Sequence, residues 1–318
     1  MASVLFENKS YDIAEGESVL DALLRHELSP SYSCMSGVCQ TCKLQAIEDS
    51  PLPEASQSEL TPQEKSQNWF LACQCYPQND IVIKGAAQTY KTKIIESTIL
   101  NSYVCRLRLE KVDISFQAGQ FINVEGPNGL SRSYSLASLP EEDFLELHIA
   151  KVENGRVSSW LHELNEGDEL TISEASGQCY YLDTFSERPL VMAATGTGLA
   201  PLYGIVRDAL NKGHKGSIDL YHAAGTIDKL YYISELKSLA EQHEQLTYHP
   251  CLKAADAQLS EAEIGDVREI VKARPLTGKE AGFLCGNPIM VNNIKKALYL
   301  SGTAMSDILS DPFVKAAD

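Results

Sequence analysis

Five of the nine cysteines lie within the first 75 of the 318 residues, and their spacing constrains the chain more than any other feature. Cys34, Cys39 and Cys42 form a C-x4-C-x2-C pattern, and Cys73 and Cys75 follow after a gap of thirty residues. This spacing is typical of a loop that holds a [2Fe–2S] cluster on four thiolates. It predicts that the N-terminal part of the chain folds around such a cluster.

Two other interpretations of these cysteines stay open but fit the spacing less well. A structural zinc site usually pairs two C-x2-4-C knuckles, whereas this chain has a single C-x2-C. A redox-active pair formed by Cys39 and Cys42 would need its own βαβ context, and Cys34 lies only five residues upstream. The iron–sulfur interpretation therefore explains more of the pattern than either alternative.

Residues 1–85 resemble a ferredoxin domain of the β-grasp type. The segment Leu71-Ala72-Cys73-Gln74 is similar to the one that carries the fourth ligand in ferredoxins, so the resemblance implies Cys73 as ligand and Cys75 as a buried neighbour. Gln40 departs from the ferredoxin pattern, in which a small residue is common at this position. The implied metal ligands are Cys34, Cys39, Cys42 and Cys73.

Local patterns in the N-terminal segment predict short elements. Residues 4–6 and 10–13 alternate like a hairpin, and residues 18–24 read as a helix capped by Ser18. Residues 80–83 predict a closing strand, and the small and polar residues at 85–89 predict a linker.

The middle of the chain is rich in short strand patterns. Residues 93–98, 104–109 and 121–125 alternate and are separated by turn residues, which predicts a small antiparallel barrel. The motif Arg132-Ser133-Tyr134-Ser135 lies on a further strand, where alternation places Arg132 and Tyr134 on one face. A guanidinium binds phosphate through paired hydrogen bonds, and a tyrosine ring stacks on flat aromatic groups. Taken alone, an ordinary strand with an exposed arginine explains this motif equally well.

A second motif follows the strand predicted over residues 147–152. In Gly155-Arg156-Val157-Ser158 the glycine permits close backbone approach, and the next N–H groups would open a helix that binds phosphate. The two motifs together resemble the FAD-binding domain of the ferredoxin–NADP reductase superfamily, although residues 175–180 depart from the family's third motif. The resemblance implies FAD, with Ser135 near the flavin N5. The implied FAD-binding residues are Arg132, Tyr134, Ser135, His148, Ile149, Ala150, Gly155, Arg156, Val157 and Ser158.

The C-terminal part has the pattern of a dinucleotide-binding domain. The apolar run at 189–194 predicts a buried parallel strand, and Thr195-Gly196-Thr197-Gly198 turns it into a helix that contains Pro201 and runs to about residue 211. A lone G-x-G is weak evidence, but here it follows a strand and opens a helix. Residues 217–223 and 245–251 predict further strands, with a helix over 233–242 between them.

The segment Cys285-Gly286-Asn287-Pro288-Ile289-Met290 resembles a signature of the same superfamily, in which the cysteine lies beside the nicotinamide carbon that donates hydride. The resemblance implies Ser135, Cys285 and Phe313 as catalytic residues, Phe313 as an aromatic cover of the flavin. A phenylalanine packed on the core explains Phe313 equally well. The implied nucleotide-binding residues are Thr195, Gly196, Thr197, Gly198, Pro201, Cys285, Gly286, Pro288 and Met290.

Three further side chains are of a type that can act in catalysis, but a structural or surface role is preferred for each. Hydride reduction of a flavin needs no acid or base, so His148 is expected to be a structural strand residue. Asp307 and Asp311 are expected to be surface charges.

The choice between NADH and NADPH depends on the segment after the second strand of the C-terminal domain. NADPH-specific relatives present an arginine there for the 2′-phosphate. Residues 223–229 contain no arginine, and Asp228 would repel a phosphate, although Lys229 keeps the question open. The sequence favours NADH.

The three patterns predict three domains: a β-grasp ferredoxin domain at 1–88, an antiparallel β-barrel FAD domain at 92–187, and a parallel-sheet α/β NAD(P)-binding domain at 188–318. This order resembles the reductase components of multicomponent bacterial oxygenases. It implies an oxidoreductase that takes electrons from NADH and passes them singly, through FAD and the [2Fe–2S] cluster, to a redox partner, most simply an oxygenase component. A reductase of a deoxysugar dehydratase pathway and a slow redox-sensing module are the alternatives.

Composition excludes several other classes. The formal net charge is −16, so no basic surplus exists to bind nucleic acid. No stretch approaches the roughly 18 apolar residues of a membrane span, and the N-terminus lacks the features of a signal peptide. We expect a cytoplasmic protein with no membrane partner, whose cysteines are ligands or thiols rather than disulfides.

Overall fold

The computed structural model describes residues 2–6, 9–28, 30, 32, 34–38, 40–47, 50–86, 88–127, 130–256 and 259–314. Three sheets follow one another along the chain, in the order that the sequence predicts. No described helix has both the length and the apolar character that crossing a membrane requires.

The N-terminal sheet has the mixed topology of a β-grasp fold. Its strand order is β2-β1-β5-β3-β4, with β1 and β5 parallel and the other neighbours antiparallel. Ser18 caps α1 through a reciprocal bond with Asp21, which confirms the predicted helix start. The elements are β1 (Ser3–Phe6), β2 (Lys9–Asp12), α1 (Val19–Arg25), β3 (Lys43–Ala46), α2 (Pro62–Ser66), β4 (Trp69–Leu71) and β5 (Ile81–Ala86).

The middle sheet is an antiparallel barrel with the order β10-β7-β6-β11-β8-β9. A bridge between Leu136, just after β9, and Leu147 of β10 joins the two ends of that order. The predicted linker at 85–89 is wrong in part, because β5 extends to Ala86 and β6 already begins at Thr89. The elements are β6 (Thr89–Ile99), β7 (Val104–Glu110), β8 (Phe121–Glu125), β9 (Ser131–Ser135), β10 (Phe144–Ala150), α3 (Arg156–Glu163) and β11 (Glu169–Ser173).

The C-terminal sheet is entirely parallel, with the order β15-β14-β13-β12-β16-β17. The chain leaves β12 toward β13 and later returns to β16 on its other side, so the direction of winding reverses between β12 and β16. Ligands bind at such reversals in open α/β sheets. The elements are β12 (Leu190–Thr195), α4 (Leu199–Asn211), β13 (Ile218–Ala224), α5 (Ile233–Gln242), β14 (Leu246–Leu252), β15 (Glu263–Ile264), α6 (Val267–Lys272), β16 (Ala281–Gly286), α7 (Pro288–Leu300) and β17 (Ile308–Pro312).

The apolar cores show how the three sheets are connected. The C-terminal core includes Val104 of β7 and has Leu100 packed against it, so it is continuous with the barrel. In the N-terminal sheet, by contrast, the core described here is built from residues 4–83 only. The barrel and the C-terminal sheet therefore share buried apolar surface, whereas the N-terminal sheet keeps its own core.

Candidate functional site

The predicted cluster loop brings three of its four cysteines together, and Cys39 lies outside the described residues. Cys34, Cys42 and Cys73 are each at most 8% exposed. The backbone folds tightly around them, with left-handed φ at Met35 (53°), Gly37 (85°) and Gln40 (53°). Among the described residues no three His, Cys, Asp or Glu side chains have metal-holding geometry. Cys39, the fourth predicted ligand, lies outside the residues to which this statement applies.

The surroundings of Cys73 and Cys75 differ sharply. The Cys73 sulfur accepts hydrogen bonds from the Cys42 thiol, which has the largest effect, and from Gln74 and the Gly37 backbone. These bonds hold the pKa of Cys73 at about 7. Burial raises the pKa of Cys75 to about 12, and its partner is the Ser56 hydroxyl. A thiolate is the form that ligates iron. The donors directed at Cys73 therefore fit a cluster ligand, whereas Cys75 fits the buried neighbour.

Gln40 stabilises the cluster loop through a side-chain hydrogen bond. Its side-chain Nε2 donates to the Glu59 carbonyl over 2.9 Å, and the residue is 7% exposed. Hence the departure from the ferredoxin pattern adds a tie between the cluster loop and the segment before α2.

The flavin motif lies on β9, as predicted. Arg132 and Tyr134 are half-buried, and burial raises the pKa of the Tyr134 hydroxyl. Ser135 is 6% exposed and its Oγ donates to Asp311 Oδ2 over 3.0 Å. The strand thus presents an arginine and a tyrosine on one face, and a hydroxyl that reaches the C-terminal domain at its end.

The second motif opens α3 at Arg156, with Gly155 as its N-cap. A Cβ at Gly155 would lie 2.5 Å from Ser158 Oγ and 2.8 Å from the Val152 Cβ, so only glycine fits without a shift. Gly155 supplies no side-chain cap, which leaves the first turn of the helix for an anionic group. Arg156 is exposed, whereas Val157 and Ser158 are buried.

His148 lies at the interface between the barrel and the C-terminal domain. Its Nδ1 is 3.0 Å from the Tyr231 hydroxyl and its Nε2 is 3.0 Å from Glu146 Oε1. Burial lowers the pKa of His148. Burial also opposes ionisation of Glu146, but hydrogen bonds from His148 and Arg108 outweigh it and hold the pKa of Glu146 at about 2. With both ring nitrogens engaged, His148 could contribute to a cofactor only through its backbone, like its neighbours Ile149 and Ala150. This environment agrees with the structural role preferred for its side chain.

The loops after β12 and β16 interlock at the reversal point of the parallel sheet. A Cβ on Gly198 would lie 2.3 Å from the Cys285 carbonyl oxygen, and one on Gly286 (φ 111°) would lie 2.5 Å from Thr195 Oγ1. Thr195 Oγ1 also accepts the Asn287 N–H over 2.8 Å. Both glycines are therefore required for the two loops to approach each other.

Two helices begin at this point. Thr197 lies in the turn between Gly196 (φ 55°) and Gly198, and buried Pro201 is in the first turn of α4. Asn287 caps α7, Pro288 is its first residue and buried Met290 lies in the same first turn. The two N-termini flank the reversal point, which is the arrangement that holds a dinucleotide pyrophosphate.

The end of β17 completes the site and corrects one expectation. Asp311 is half-buried rather than an exposed surface charge, and burial raises its pKa to about 6 despite the bond from Ser135. It is paired with Cys285 across the sheet. Asp307, by contrast, forms an ion pair with Arg188 at 2.7 Å. Sequence reasoning missed Asp311 because its burial depends on the barrel packing against β17.

Cys285 lies near the end of β16, and Phe313 follows its neighbour β17. Cys285 is fully buried, and burial followed by the neighbouring Cys179 thiol raises its pKa well above the ordinary value. The two sulfurs are 3.7 Å apart, so Cys179 of the atypical 175–180 turn packs on Cys285. Phe313 follows β17 directly, is half-buried, and its N–H donates to the Gly286 carbonyl over 2.7 Å.

The residues present fit the three implied groups. Thiols with N–H donors aimed at sulfur fit an iron–sulfur cluster. An uncapped helix start beside an arginine–tyrosine strand fits FAD, and two helix starts at a sheet reversal fit NAD(H). Fold and sites together define a flavoprotein oxidoreductase with an iron–sulfur domain.

Comparison with known families agrees with this class along the chain. Residues 5–78 match the 2Fe-2S iron-sulfur cluster binding domain, residues 88–181 the oxidoreductase FAD-binding domain, and residues 192–296 the oxidoreductase NAD-binding domain. The chain belongs to the ferredoxin–NAD(P) reductase family whose members carry a [2Fe–2S] domain.

Relatives and solved structures match over nearly the whole length. The phenol hydroxylase P5 protein of Acinetobacter pittii (strain PHEA-2) is 32% identical, covering 96% of this chain and 92% of that protein. The naphthalene 1,2-dioxygenase system ferredoxin–NAD(P)(+) reductase component of Pseudomonas putida is 31% identical, covering 96% of each. The Amycolatopsis cytochrome P450 reductase GcoB is 26% identical with a TM-score of 0.70, covering 98% of this chain and 99% of that one. FAD, the [2Fe–2S] cluster and NAD(H) are thus the cofactors of this chain.

Proposed function

We propose that this protein takes electrons from NADH and delivers them, through FAD and a [2Fe–2S] cluster, to an oxygenase component. One observation carries the proposal: strand β9 touches both other domains. Ser133 shares the Asn123 amide oxygen with Thr41 of the cluster loop, and Ser135 donates to Asp311 beside Cys285. The flavin-binding strand is thus connected to the cluster loop, where electrons are predicted to leave the flavin, and to the predicted nicotinamide site, from which they arrive.

When bound, FAD supplies the chemistry of accepting a hydride and releasing electrons singly. Arg132 and the first turn of α3 would bind its phosphates, Tyr134 would pack against its ring, and Ser135 would present a hydroxyl to the flavin. Catalysis by the chain is mainly positioning. Thr195 to Gly198, with Gly286 and Pro288, bind the dinucleotide, and Cys285, Asp311 and Phe313 shape the place of the nicotinamide.

The segment after β13 supports NADH over NADPH. Asp228 is exposed there, and a carboxylate repels a 2′-phosphate. The ammonium of Lys229 lies 4.7 Å from the centre of the Tyr103 ring of the barrel, so a neighbouring domain already engages it. Within this segment no arginine is available for a phosphate.

The names of the relatives support an oxygenase as the acceptor, since they belong to phenol, naphthalene and toluate systems. A deoxysugar dehydratase acceptor or a sensing role has no comparable support. No disulfide joins the described cysteines, which fits the reducing cytoplasm as the compartment. We also propose that the three domains comprise residues 1–88, 92–187 and 188–318.

An anaerobic titration of the purified protein with NADH and with NADPH, followed optically, tests this function. We expect flavin and iron–sulfur bands that bleach rapidly with NADH and slowly with NADPH, followed by fast reduction of ferricyanide. Equal rates with both nucleotides would refute the NADH preference. Absence of either chromophore would refute the electron path, and slow turnover with full reduction would indicate the sensor.

A further inference from the structure

A buried amide joins the cluster loop to the flavin-binding strand. Asn123 of β8 is 8% exposed, and its Oδ1 accepts hydrogen bonds from Thr41 Oγ1 at 2.9 Å and from Ser133 Oγ at 2.7 Å. Thr41 precedes the ligand Cys42, and Ser133 lies between Arg132 and Tyr134. A single acceptor therefore holds one residue from each electron-carrying site.

Further described contacts between these two domains are polar as well, and Thr41 Oγ1 also lies 3.5 Å from Ser133 Oγ. The Lys43 ammonium donates to Ser176 Oγ over 3.2 Å while it pairs with Glu64 of its own domain at 2.6 Å. The Gln178 amide reaches the Glu59 carbonyl at 3.4 Å. Since the N-terminal core shares no residue with the barrel core in the described chain, directional hydrogen bonds decide how the two domains align.

We infer that Asn123 is a positioning residue for electron transfer: its bridge to Thr41 and Ser133 sets the place of the cluster loop relative to the flavin strand. This inference rests on the proposed function. It names the residue that sets the geometry for electron transfer from FAD to the cluster. Asn123 is central because its oxygen is shielded from water, so loss of the Asn123 amide removes the acceptor of two hydroxyls at once. Electron transfer slows as the distance between the two redox centres increases, so a displaced cluster loop slows reduction of the cluster.

The test compares Asn123→Leu and Ser133→Ala with the control Ser131→Ala in the full-length holoenzyme. Ser131 lies two residues before Ser133 on the same strand and bonds only weakly inside the barrel, to the Val124 carbonyl at 3.4 Å. Stopped-flow spectroscopy measures flavin reduction and cluster reduction separately after mixing with NADH. Hydrogen–deuterium exchange of residues 40–47 and 121–125 reports docking without reference to activity.

We expect Asn123→Leu to slow cluster reduction about tenfold and Ser133→Ala about threefold, as loss of one or two net hydrogen bonds predicts. Flavin reduction by NADH should stay at the wild-type rate in both. Exchange of residues 40–47 should increase in both variants and stay unchanged in Ser131→Ala. Asn123→Asp keeps the oxygen acceptor and should remain closer to wild type than Asn123→Leu.

A double-mutant cycle between Thr41→Val and Ser133→Ala keeps the inference testable even if Asn123→Leu fails to fold. Their effects on cluster reduction should be non-additive, because both hydroxyls bind one oxygen and lie 3.5 Å from each other. Iron and sulfide content, measured first, confirms an intact cluster in each variant. Wild-type cluster reduction and exchange in all variants would overturn the inference. A wild-type protein whose flavin is not reduced by NADH would instead overturn the proposed function.

Discussion

At the scale of single residues, two cysteines separated by one position have opposite environments. Hydrogen bonds hold the Cys73 pKa at about 7, and burial raises that of Cys75 to about 12. We predict that Cys73→Ser abolishes the iron–sulfur absorption and electron paramagnetic resonance signal, whereas Cys75→Ser retains both. The matched substitution costs similar packing at each site, so loss of the signal in Cys75→Ser would contradict the ligand assignment.

Asp311 gives a pH dependence whose sign differs from that of its neighbour Asp307. Burial raises the Asp311 pKa from 3.8 to about 6, so the folded protein binds that proton more tightly than the unfolded chain does. The stability associated with it is complete below about pH 4 and is lost as the pH rises through 6. Asp311→Asn should therefore raise the thermal midpoint relative to wild type, by more at pH 7.5 than at pH 5.

Asp307→Asn is the matched control for that measurement. Its bond from Arg188 lowers the Asp307 pKa, so the stabilisation is present above the ordinary value of 3.8 and is lost only at lower pH. We expect Asp307→Asn to lower the midpoint by the same amount at pH 5 and pH 7.5. If the two variants showed the same trend with pH, the raised pKa assigned to Asp311 would be wrong.

At the scale of elements, the start of α3 is built for an anion. A Cβ at Gly155 would come within 2.8 Å of two atoms of Ser158 and Val152, which forces the first turn to move. We predict that Gly155→Ala raises the FAD dissociation constant about tenfold, since the N–H groups of that turn lose their alignment. Flavin fluorescence released on dilution measures this. Glu163→Ala, at the exposed far end of the same helix, should retain FAD like the wild type.

At the scale of the whole molecule, charge is distributed unevenly over the three predicted domains. Residues 1–88 contain 5 basic and 12 acidic residues, residues 92–187 contain 7 and 16, and residues 188–318 contain 14 and 15. The two electron-carrying domains are strongly acidic, whereas the domain for an anionic dinucleotide is nearly neutral. Such a field attracts a basic patch on a partner protein and repels anions.

We therefore predict that raising the ionic strength from about 0.05 to 0.5 M slows electron delivery to the oxygenase component several-fold, as charge screening requires. Steady-state rates with the purified component at several salt concentrations measure the effect. Reduction of ferricyanide, a small anion, should not slow with salt. A flat profile with the protein partner would exclude electrostatic docking through the acidic domains.

Local sequence signals determined much of this protein. The Ser18 cap, the helix over 233–242 and the strand at 121–125 depend on neighbours in the chain, and the structure places these elements as predicted. Gly155 and Gly198 could also be found, because a tight turn between known element types needs a glycine whatever the rest of the fold does.

Only the tertiary structure decided which residues meet across domains. Asp311 reads as a surface charge until β17 packs beside Cys285 and Ser135, and the Cys179–Cys285 contact joins residues 106 positions apart. Asn123 carries no motif at all, since its role comes from two hydroxyls that the fold brings to one oxygen. Chain-local patterns encode the elements, but burial and hydrogen-bond partners depend on contacts between distant segments, which no short pattern records.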